Sequence, residues 1–171
     1  NRVREAFGDI PIIIGGLEAS LRRFAHYDYW EDKVRRSILF DAQADLLVYG
    51  MGERATRQIA RRLSHGEPVS ALTDIRGTAF VGRREDCAFE AVELPSFEAN
   101  AASKRDYALA TRIENEEHDP IRGKALLQPH GDRLLIVNPP QMPLDRQELD
   151  RVYELPYACL LYTSPSPRDR Q

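Results

Sequence analysis

Apolar residues in the first half of the chain alternate between helical and strand spacing. Helices are indicated by apolar residues that repeat every three or four positions, and strands by short β-branched runs that are apolar on both faces. In chain order, the pattern predicts a helix at 3–7, a strand at 10–14, a helix at 28–38, a strand at 46–49, a helix at 53–66 and a strand at 78–81. This order predicts an α/β fold with a doubly wound parallel sheet. Because three strands make a small core, we expect neighbouring strands before the N-terminus.

The second half of the chain has a different pattern. It predicts a helix at 96–117, two strands at 125–128 and 134–137, and a helix at 145–152. Gly131 and Asp132 form a hairpin-type turn between the two strands, and Asp145 and Glu148 have the spacing of a capping box. We therefore expect a small helix and β-hairpin appendage, packed beside the first unit.

These patterns divide the chain into three segments. Residues 1–82 form the C-terminal part of the doubly wound domain, residues 83–157 form the helix and hairpin region, and residues 158–171 form a tail. Within the tail, 162–171 (YTSPSPRDRQ) has two prolines, two serines and no apolar repeat, so we predict disorder. The tail also resembles translated library-adapter sequence, so we interpret it as non-native.

Composition and charge exclude several classes of protein. The chain has 171 residues and a formal net charge of −3, without the basic excess of a nucleic-acid binder. No apolar run approaches the ~20 residues that a membrane helix needs, and no secretory signal opens the chain. Cys87 and Cys159 are too few for a disulfide framework or a zinc site. We expect a cytoplasmic protein with no membrane or nucleic-acid partner, and the opening Asn1 indicates a longer reading frame.

A pair of glycines follows the first predicted strand. Gly15 and Gly16, with Glu18 shortly after, are expected at the carboxyl edge of the sheet, where open α/β sheets bind ligands. Glycines let the backbone approach a ligand such as a phosphate, but a tight turn with positive φ also needs them. The full Gly-x-Gly-x-x-Gly pattern is missing, so we favour a turn over a phosphate cradle.

Cations and aromatic rings are concentrated in the nine residues that follow. This run contains Arg22, Arg23, His26, Tyr27 and Trp30. Arginine and aromatic faces can hold an anion or stack on a planar ligand. The alternative is a surface loop in which Tyr27 and Trp30 only anchor the chain, and we favour this alternative.

A second glycine turn follows the strand at 46–49. Gly50, Met51 and Gly52 end that strand, and Glu53 opens the next helix. A carboxylate in the first helical turn is favourable whether or not a ligand binds, so a structural role is favoured here too. The sequence has no phosphate-binding loop, Ser/His/Asp arrangement or cysteine cluster. The residues alone therefore predict a partial α/β domain with a candidate ligand edge and no identifiable reaction.

Longer stretches of the chain resemble one protein family. The stretch PIIIGGLEASLRRFAHYDYWEDKVRRSILFDAQADLLVYGMGERA (11–55) closely resembles the N-terminal region of the YgiQ-type radical-SAM proteins, whose function is uncharacterised. Three further stretches match in the same order: HGEPVSALTDIRGTAF (65–80), LPSFE (94–98) and HGDRLLIVNPPQMPLDRQELDRVYELPY (130–157). A collinear match of this length is more specific than any short motif in the chain.

The resemblance implies a larger bacterial enzyme. Such proteins combine a Rossmann-like region, similar to the cobalamin-binding domains of other radical-SAM enzymes, with a (β/α) radical-SAM core. That core would hold a 4Fe-4S cluster through a Cys-x-x-x-Cys-x-x-Cys loop. This chain has neither that loop nor the Asp-x-His-x-x-Gly cobalamin motif. We therefore expect no cofactor in this chain and no catalysis by it alone, with the cluster and S-adenosylmethionine (SAM) in the full-length parent.

Two hypotheses of different classes follow. In the first, the chain is the accessory N-terminal region of a radical-SAM enzyme, and its candidate ligand edge faces the radical-SAM core of the same polypeptide. Substitution of Arg23 and His26 by Ala would then lower turnover without unfolding the protein. In the second, the chain is a non-catalytic α/β interaction or ligand-binding module, and residues 22–36 dock a partner through charged and aromatic contacts.

Overall fold

The computed structural model describes residues 2–156 of the chain. The helices are α1 (Arg2–Phe7), α2 (Leu17–Leu21), α3 (Ile38–Ala42), α4 (Glu53–Ser64), α5 (Phe97–Ala102), α6 (Lys104–Glu116) and α7 (Arg146–Tyr153). The strands are β1 (Ile13–Ile14), β2 (His26–Asp28), β3 (Lys33–Arg35), β4 (Leu46–Val48), β5 (Thr78–Gly82), β6 (Ala91–Glu93), β7 (Ala125–His130) and β8 (Arg133–Val137). The predictions for 158–171, including disorder at 162–171, lie outside the described residues.

Six strands form one sheet in the order β1-β4-β5-β8-β7-β6, and β2 and β3 form a separate hairpin. The outer pairs, β1 with β4 and β6 with β7, are parallel, while the three central pairings are antiparallel. Helices cover both faces of the sheet. Residues of α2 and α3 pack with Leu47 and Tyr49 on one face, and residues of α4 pack with Leu46 and Val48 on the other.

The predicted α/β class is confirmed, and so is the parallel pairing of the first two predicted strands. The third strand, β5, is antiparallel to β4, so the sheet is mixed rather than wholly parallel. The connection after α4 explains the reversal, because Leu72 and Ile75 are buried on the α4 face and lead the chain back to the carboxyl end of β4. There Tyr49 donates its N–H to the carbonyl of Gly77 at 2.9 Å. An apolar strand pattern reveals burial but not strand direction.

The predicted hairpin belongs to the same sheet. β7 and β8 pair around Gly131 as expected, but β8 also pairs with β5 over four residues. β7 in turn pairs with β6, a strand that the sequence pattern did not predict. The expectation of an appendage packed beside the first unit is therefore wrong, because this hairpin extends the central sheet.

The helix predicted at 28–38 is replaced by the β2–β3 hairpin. Asp28 accepts hydrogen bonds from the N–H groups of Trp30 and Glu31 at 3.0 and 3.3 Å. These are the bonds that an N-cap makes, but here they close a turn in which Asp32 has a positive φ of 50°. A capping-box pattern fits both structures, and Trp30, which would have anchored the helix, is 90% exposed.

The helix predicted at 96–117 is interrupted at Ser103. This residue has extended backbone angles, and its hydroxyl accepts a hydrogen bond from the N–H of Asp106 at 3.2 Å. It therefore begins a new helix instead of continuing the first one. None of the helices between residues 2 and 156 is long and apolar enough to cross a membrane.

Candidate functional site

Two glycine turns lie side by side at the carboxyl edge of β1 and β4. Gly16 has a φ of 90°, which side-chain-bearing residues rarely adopt, and it leads from β1 into α2. A Cβ atom at Gly15 would lie 3.3 Å from the Val48 carbonyl oxygen, and one at Gly52 would lie 3.0 Å from Val48 Cγ1. Both turns therefore require glycine for the shape of the protein itself.

Ser20 of α2 joins the two turns. Its hydroxyl donates to the Gly16 carbonyl at 2.9 Å and accepts from the N–H of Gly50 at 3.3 Å. The two strand ends and the two helix starts thus form one continuous surface, which we call the carboxyl edge. Gly15, Gly16 and Gly52 from the sequence-based candidates lie together there.

Acidic side chains occupy the first turns of both helices at this edge. Glu18 is in the first turn of α2 and pairs with Arg22 at 2.6 Å, and Glu53 is in the first turn of α4. A negatively charged ligand would meet these carboxylates at the helix N-termini. The arrangement therefore favours the turn interpretation of the glycines over a phosphate cradle.

Large apolar side chains are exposed at the same edge. Leu17 and Leu21 are 79% and 65% exposed, one helical turn apart on α2, and Met51 in the neighbouring glycine turn is 57% exposed. Isolated exposed apolar residues are common, but several grouped on one surface indicate an interaction site.

The side chain of Arg23 is half-buried and packs against aromatic rings instead of extending into solvent. Its guanidinium stacks over the rings of Phe24 and Tyr49, with distances of 4.8 and 4.7 Å to the ring centroids. It donates a hydrogen bond to the Ser20 carbonyl, whereas its Nε has no hydrogen-bond partner among the described residues. Burial lowers the pKa of Arg23. This placement indicates that loss of the side chain would disturb packing, so Arg23→Ala is not a clean test of ligand binding.

An acidic residue that the sequence pattern does not single out lies close to Arg23. Glu114 of α6 lines the same small cavity as Arg23, with Tyr49 and Asn138 in the wall, and the cavity volume is about 10 Å³. That is space for at most one water molecule. Burial raises the pKa of Glu114 to about 7. The helical pattern placed Glu114 on α6, but only the packing of α6 on the sheet shows that its carboxyl group is buried.

The remaining aromatic candidates lie on the β2–β3 hairpin. The backbone N–H of Tyr27 donates to the hydroxyl of Tyr107 on α6 at 3.2 Å, which fixes the hairpin to the helical layer. His26 Nδ1 lies 3.1 Å from the Phe24 carbonyl, and burial lowers its pKa. Trp30 protrudes from the hairpin tip. The ligand roles of these residues stay predictions, and the structure places them on a different element from the carboxyl edge.

The residues of this chain do not fit an iron–sulfur cluster. Among residues 2–156, no group of three His, Cys, Asp or Glu side chains is arranged to hold a metal ion. The sequence has two cysteines, Cys87 and Cys159, and a three-thiolate site needs one more. Cys87 instead donates its thiol to the Phe89 carbonyl at 3.4 Å. No catalytic step through a cluster is therefore assigned to these residues.

The buried carboxyl group gives a pH-dependent prediction. Because the pKa of Glu114 rises from an ordinary 4.5 to about 7, the folded chain holds one more proton than the unfolded chain between these values. Its contribution to stability is therefore present at acidic pH and is lost as the pH rises through 7. Relative to Glu114→Gln, the free energy of unfolding of the wild-type chain should fall by about 2–3 kcal/mol between pH 4.5 and 8.

Urea titrations at a series of pH values measure this difference. Burial lowers the pKa of His26 and His130, which acts in the opposite direction, so the comparison with the variant isolates Glu114. Glu116→Gln, on the exposed side of the same helix, is the matched control and should behave as wild type. Parallel pH profiles for wild type and Glu114→Gln would contradict the assignment.

Comparisons with known proteins agree with the resemblance seen in the sequence. A family profile described as Radical SAM N-terminal matches residues 1–166. A UPF0313 protein of Geobacter sulfurreducens is 57% identical over 158 residues, which cover 92% of this chain and 26% of the relative. A UPF0313 protein of Clostridium botulinum is 51% identical over 158 residues, covering 92% of this chain and 25% of the relative. A UPF0313 protein of Methanocella arvoryzae is 48% identical over 169 residues, which cover 99% of this chain and 28% of the relative. No solved structure gives a significant match.

These matches cover nearly all of this chain but a small part of each relative. The chain spans about a quarter of the length of the curated relatives it matches. The predicted membership of a radical-SAM family is confirmed by the profile and by relatives that are about half identical. The chain belongs to the Radical SAM N-terminal family and represents the N-terminal domain of a UPF0313 protein.

Proposed function

We propose that this chain is the accessory domain of a radical-SAM enzyme and that its carboxyl edge contacts the radical-SAM core of the same polypeptide. In this proposal, the core holds the 4Fe-4S cluster and SAM, and both lie outside these residues. The accessory domain supplies a surface that positions the substrate near the cofactor, since in cofactor enzymes the protein contributes orientation and the cofactor contributes the chemistry. A cytoplasmic location fits this proposal.

The exposed apolar surface of the carboxyl edge carries the proposal. Leu17, Leu21 and Met51 project from an edge where open α/β sheets commonly bind their ligands. The edge carries carboxylates at its helix starts and apolar side chains around them, which suits a protein contact better than a phosphate-bearing ligand. Membership of a radical-SAM family supports the choice of the radical-SAM core as the partner in that contact.

The β2–β3 hairpin supports an alternative, a non-catalytic module that docks a partner. Trp30 and Tyr29 are 90% and 78% exposed at the hairpin tip, and their rings lie edge to face with centroids 5.9 Å apart. Exposed aromatic residues are frequent anchors of protein interfaces. The two proposals use different surfaces of the domain, so they can be distinguished by finding which surface is covered.

Methionine oxidation in the full-length protein tests the first proposal. Met51 and Met142 are the two methionines of this chain, and they are 57% and 38% exposed here. If the carboxyl edge contacts the core, Met51 should be oxidised more slowly than Met142, although it is the more exposed of the two in this domain. Pulsed hydroxyl-radical labelling with mass spectrometry measures both rates in one sample.

The same labelling experiment separates the alternatives. Faster oxidation of Met51 than of Met142 would contradict contact at the carboxyl edge. If, in addition, Trp30 and Tyr29 were protected, the hairpin-docking module would be supported instead.

A substitution at the edge should reduce enzyme turnover without loss of the cluster. Leu17→Ser replaces an exposed apolar side chain, so the free energy of unfolding of this domain should change by less than about 0.5 kcal/mol. Misplacement of the domain on the core should lower the rate of SAM cleavage by the full-length enzyme about tenfold. Iron content, melting temperature and turnover are measured on the same preparations.

Ile121→Ser is the matched control, because Ile121 is 78% exposed and lies outside α2 and the two glycine turns, in the turn that follows α6. This variant should retain wild-type turnover. Equal rates for Leu17→Ser and wild type would remove the functional role of the edge.

A further inference from the structure

The sequence of β1 and its place in the fold do not agree. The run at 10–14 is apolar on both faces, which is the composition of a strand buried between two neighbours. In the structure, β1 is at the end of the strand order, and Ile13 is 38% exposed. Strands at the edge of a sheet normally carry charges or prolines that prevent further pairing. The one proline of this run, Pro11, precedes β1, and the two residues of β1 are both isoleucines.

The backbone of β1 is open on its outer side. The carbonyl of Ile12 accepts hydrogen bonds from the N–H groups of Asp45 and Leu46 at 2.9 and 3.4 Å. Because alternate residues of a strand direct their backbone groups toward the same neighbour, the N–H and C=O of Ile13 point away from β4. One residue of β1 therefore presents both a donor and an acceptor to a further strand.

An apolar groove continues from this edge to the helix above it. The groove has a volume of about 400 Å³ and is lined by apolar side chains and the aliphatic part of Thr56, among them Ile13, Val48, Ile59, Ala60 and Leu63. Ala60 is exposed and Leu63 is half-buried on the side of α4 that extends beyond β1. A strand added next to β1 would fill this groove under α4.

The helix before β1 has an uncovered apolar stripe as well. None of the residues of α1 is buried, and Val3 and Phe7 are 48% and 66% exposed. Arg4 nevertheless fixes α1 in place, donating to the Ile10 carbonyl and to the Asp45 carboxylate, both at 2.9 Å. The helix is thus held beside the sheet with its apolar stripe unburied.

We propose that a β-strand of the longer polypeptide, preceding α1, pairs in parallel with the open side of β1. A strand, α1 and β1 would then form a βαβ unit. Since such crossovers are right-handed, α1 would cover the same face as α2 and α3, and α4 would cover the opposite face. One added strand therefore buries both the groove and the stripe on α1. This domain is about a quarter of the length of its relatives, so the longer polypeptide has chain outside these residues.

Hydrogen exchange on the full-length protein tests this pairing. The amide of Ile13 should exchange on the order of 100-fold more slowly than an unpaired amide, and at a rate that does not depend on protein concentration. The amides of β4 provide the protected reference. Exchange of Ile13 at the unpaired rate would overturn the proposal. Protection that is lost on dilution would also overturn it, because a second copy would then be the occupant.

A pair of matched variants gives an independent measurement. Ile13 and Met142 have the same 38% exposure, so Lys at either position would be similarly tolerated in a domain whose β1 edge is open. If a strand covers Ile13, Ile13→Lys should increase the rate of proteolysis of the full-length protein at least about tenfold, whereas Met142→Lys should leave it unchanged. Equal proteolysis of the two variants would contradict burial of this edge.

Discussion

Close packing of two glycines against Val48 shapes the surface on which the functional proposal depends. Gly15 and Gly52 lie where a Cβ atom would press on the carbonyl oxygen and on a methyl group of this one residue. Without side chains at these positions, β1 and β4 turn directly into α2 and α4, and Ser20 joins the two turns. The helices then start close together, and the exposed apolar side chains of Leu17, Leu21 and Met51 share the carboxyl edge with Glu18 and Glu53.

The domain places charged groups inside and apolar groups outside at several points. Arg23 and Glu114 are half-buried around one small cavity, while Leu17 and Trp30 are among the most exposed residues. A buried charge is costly without compensation. Here the rings of Phe24 and Tyr49 face the guanidinium of Arg23, and the raised pKa of Glu114 lets its carboxyl group hold a proton. Exposed apolar surface is costly in water unless another protein surface covers it. The distribution therefore suits a domain that forms part of a larger protein, in agreement with the length of its relatives.

Sequence patterns predicted the elements whose signals are local. The helix α4 follows from Ala55, Ile59 and Leu63 at four-residue intervals, and α7 follows from a capping box that the structure confirms. The direction of β5 could not be predicted, because it depends on where the loop holding Leu72 and Ile75 packs. The pattern at Asp28 predicts a helix, because hydrogen bonds from the following N–H groups to its carboxylate are the same in an N-cap and in a turn.

The candidate site was only partly predictable, because part of it depends on tertiary packing instead of local sequence. Glycines after strands located the carboxyl edge correctly, since parallel strands end at a common edge. The opposite environments of Arg23 and Trp30, seven residues apart, depend on tertiary packing that no local pattern contains.

The central claim is that this domain contributes surfaces, and that cofactor chemistry belongs to the remainder of the polypeptide. Anaerobic iron–sulfur reconstitution of this chain beside the full-length protein, followed by iron analysis and absorption spectroscopy, tests it most directly. The account predicts a cluster in the full-length protein and none in this chain, and a stable cluster in this chain alone would contradict it.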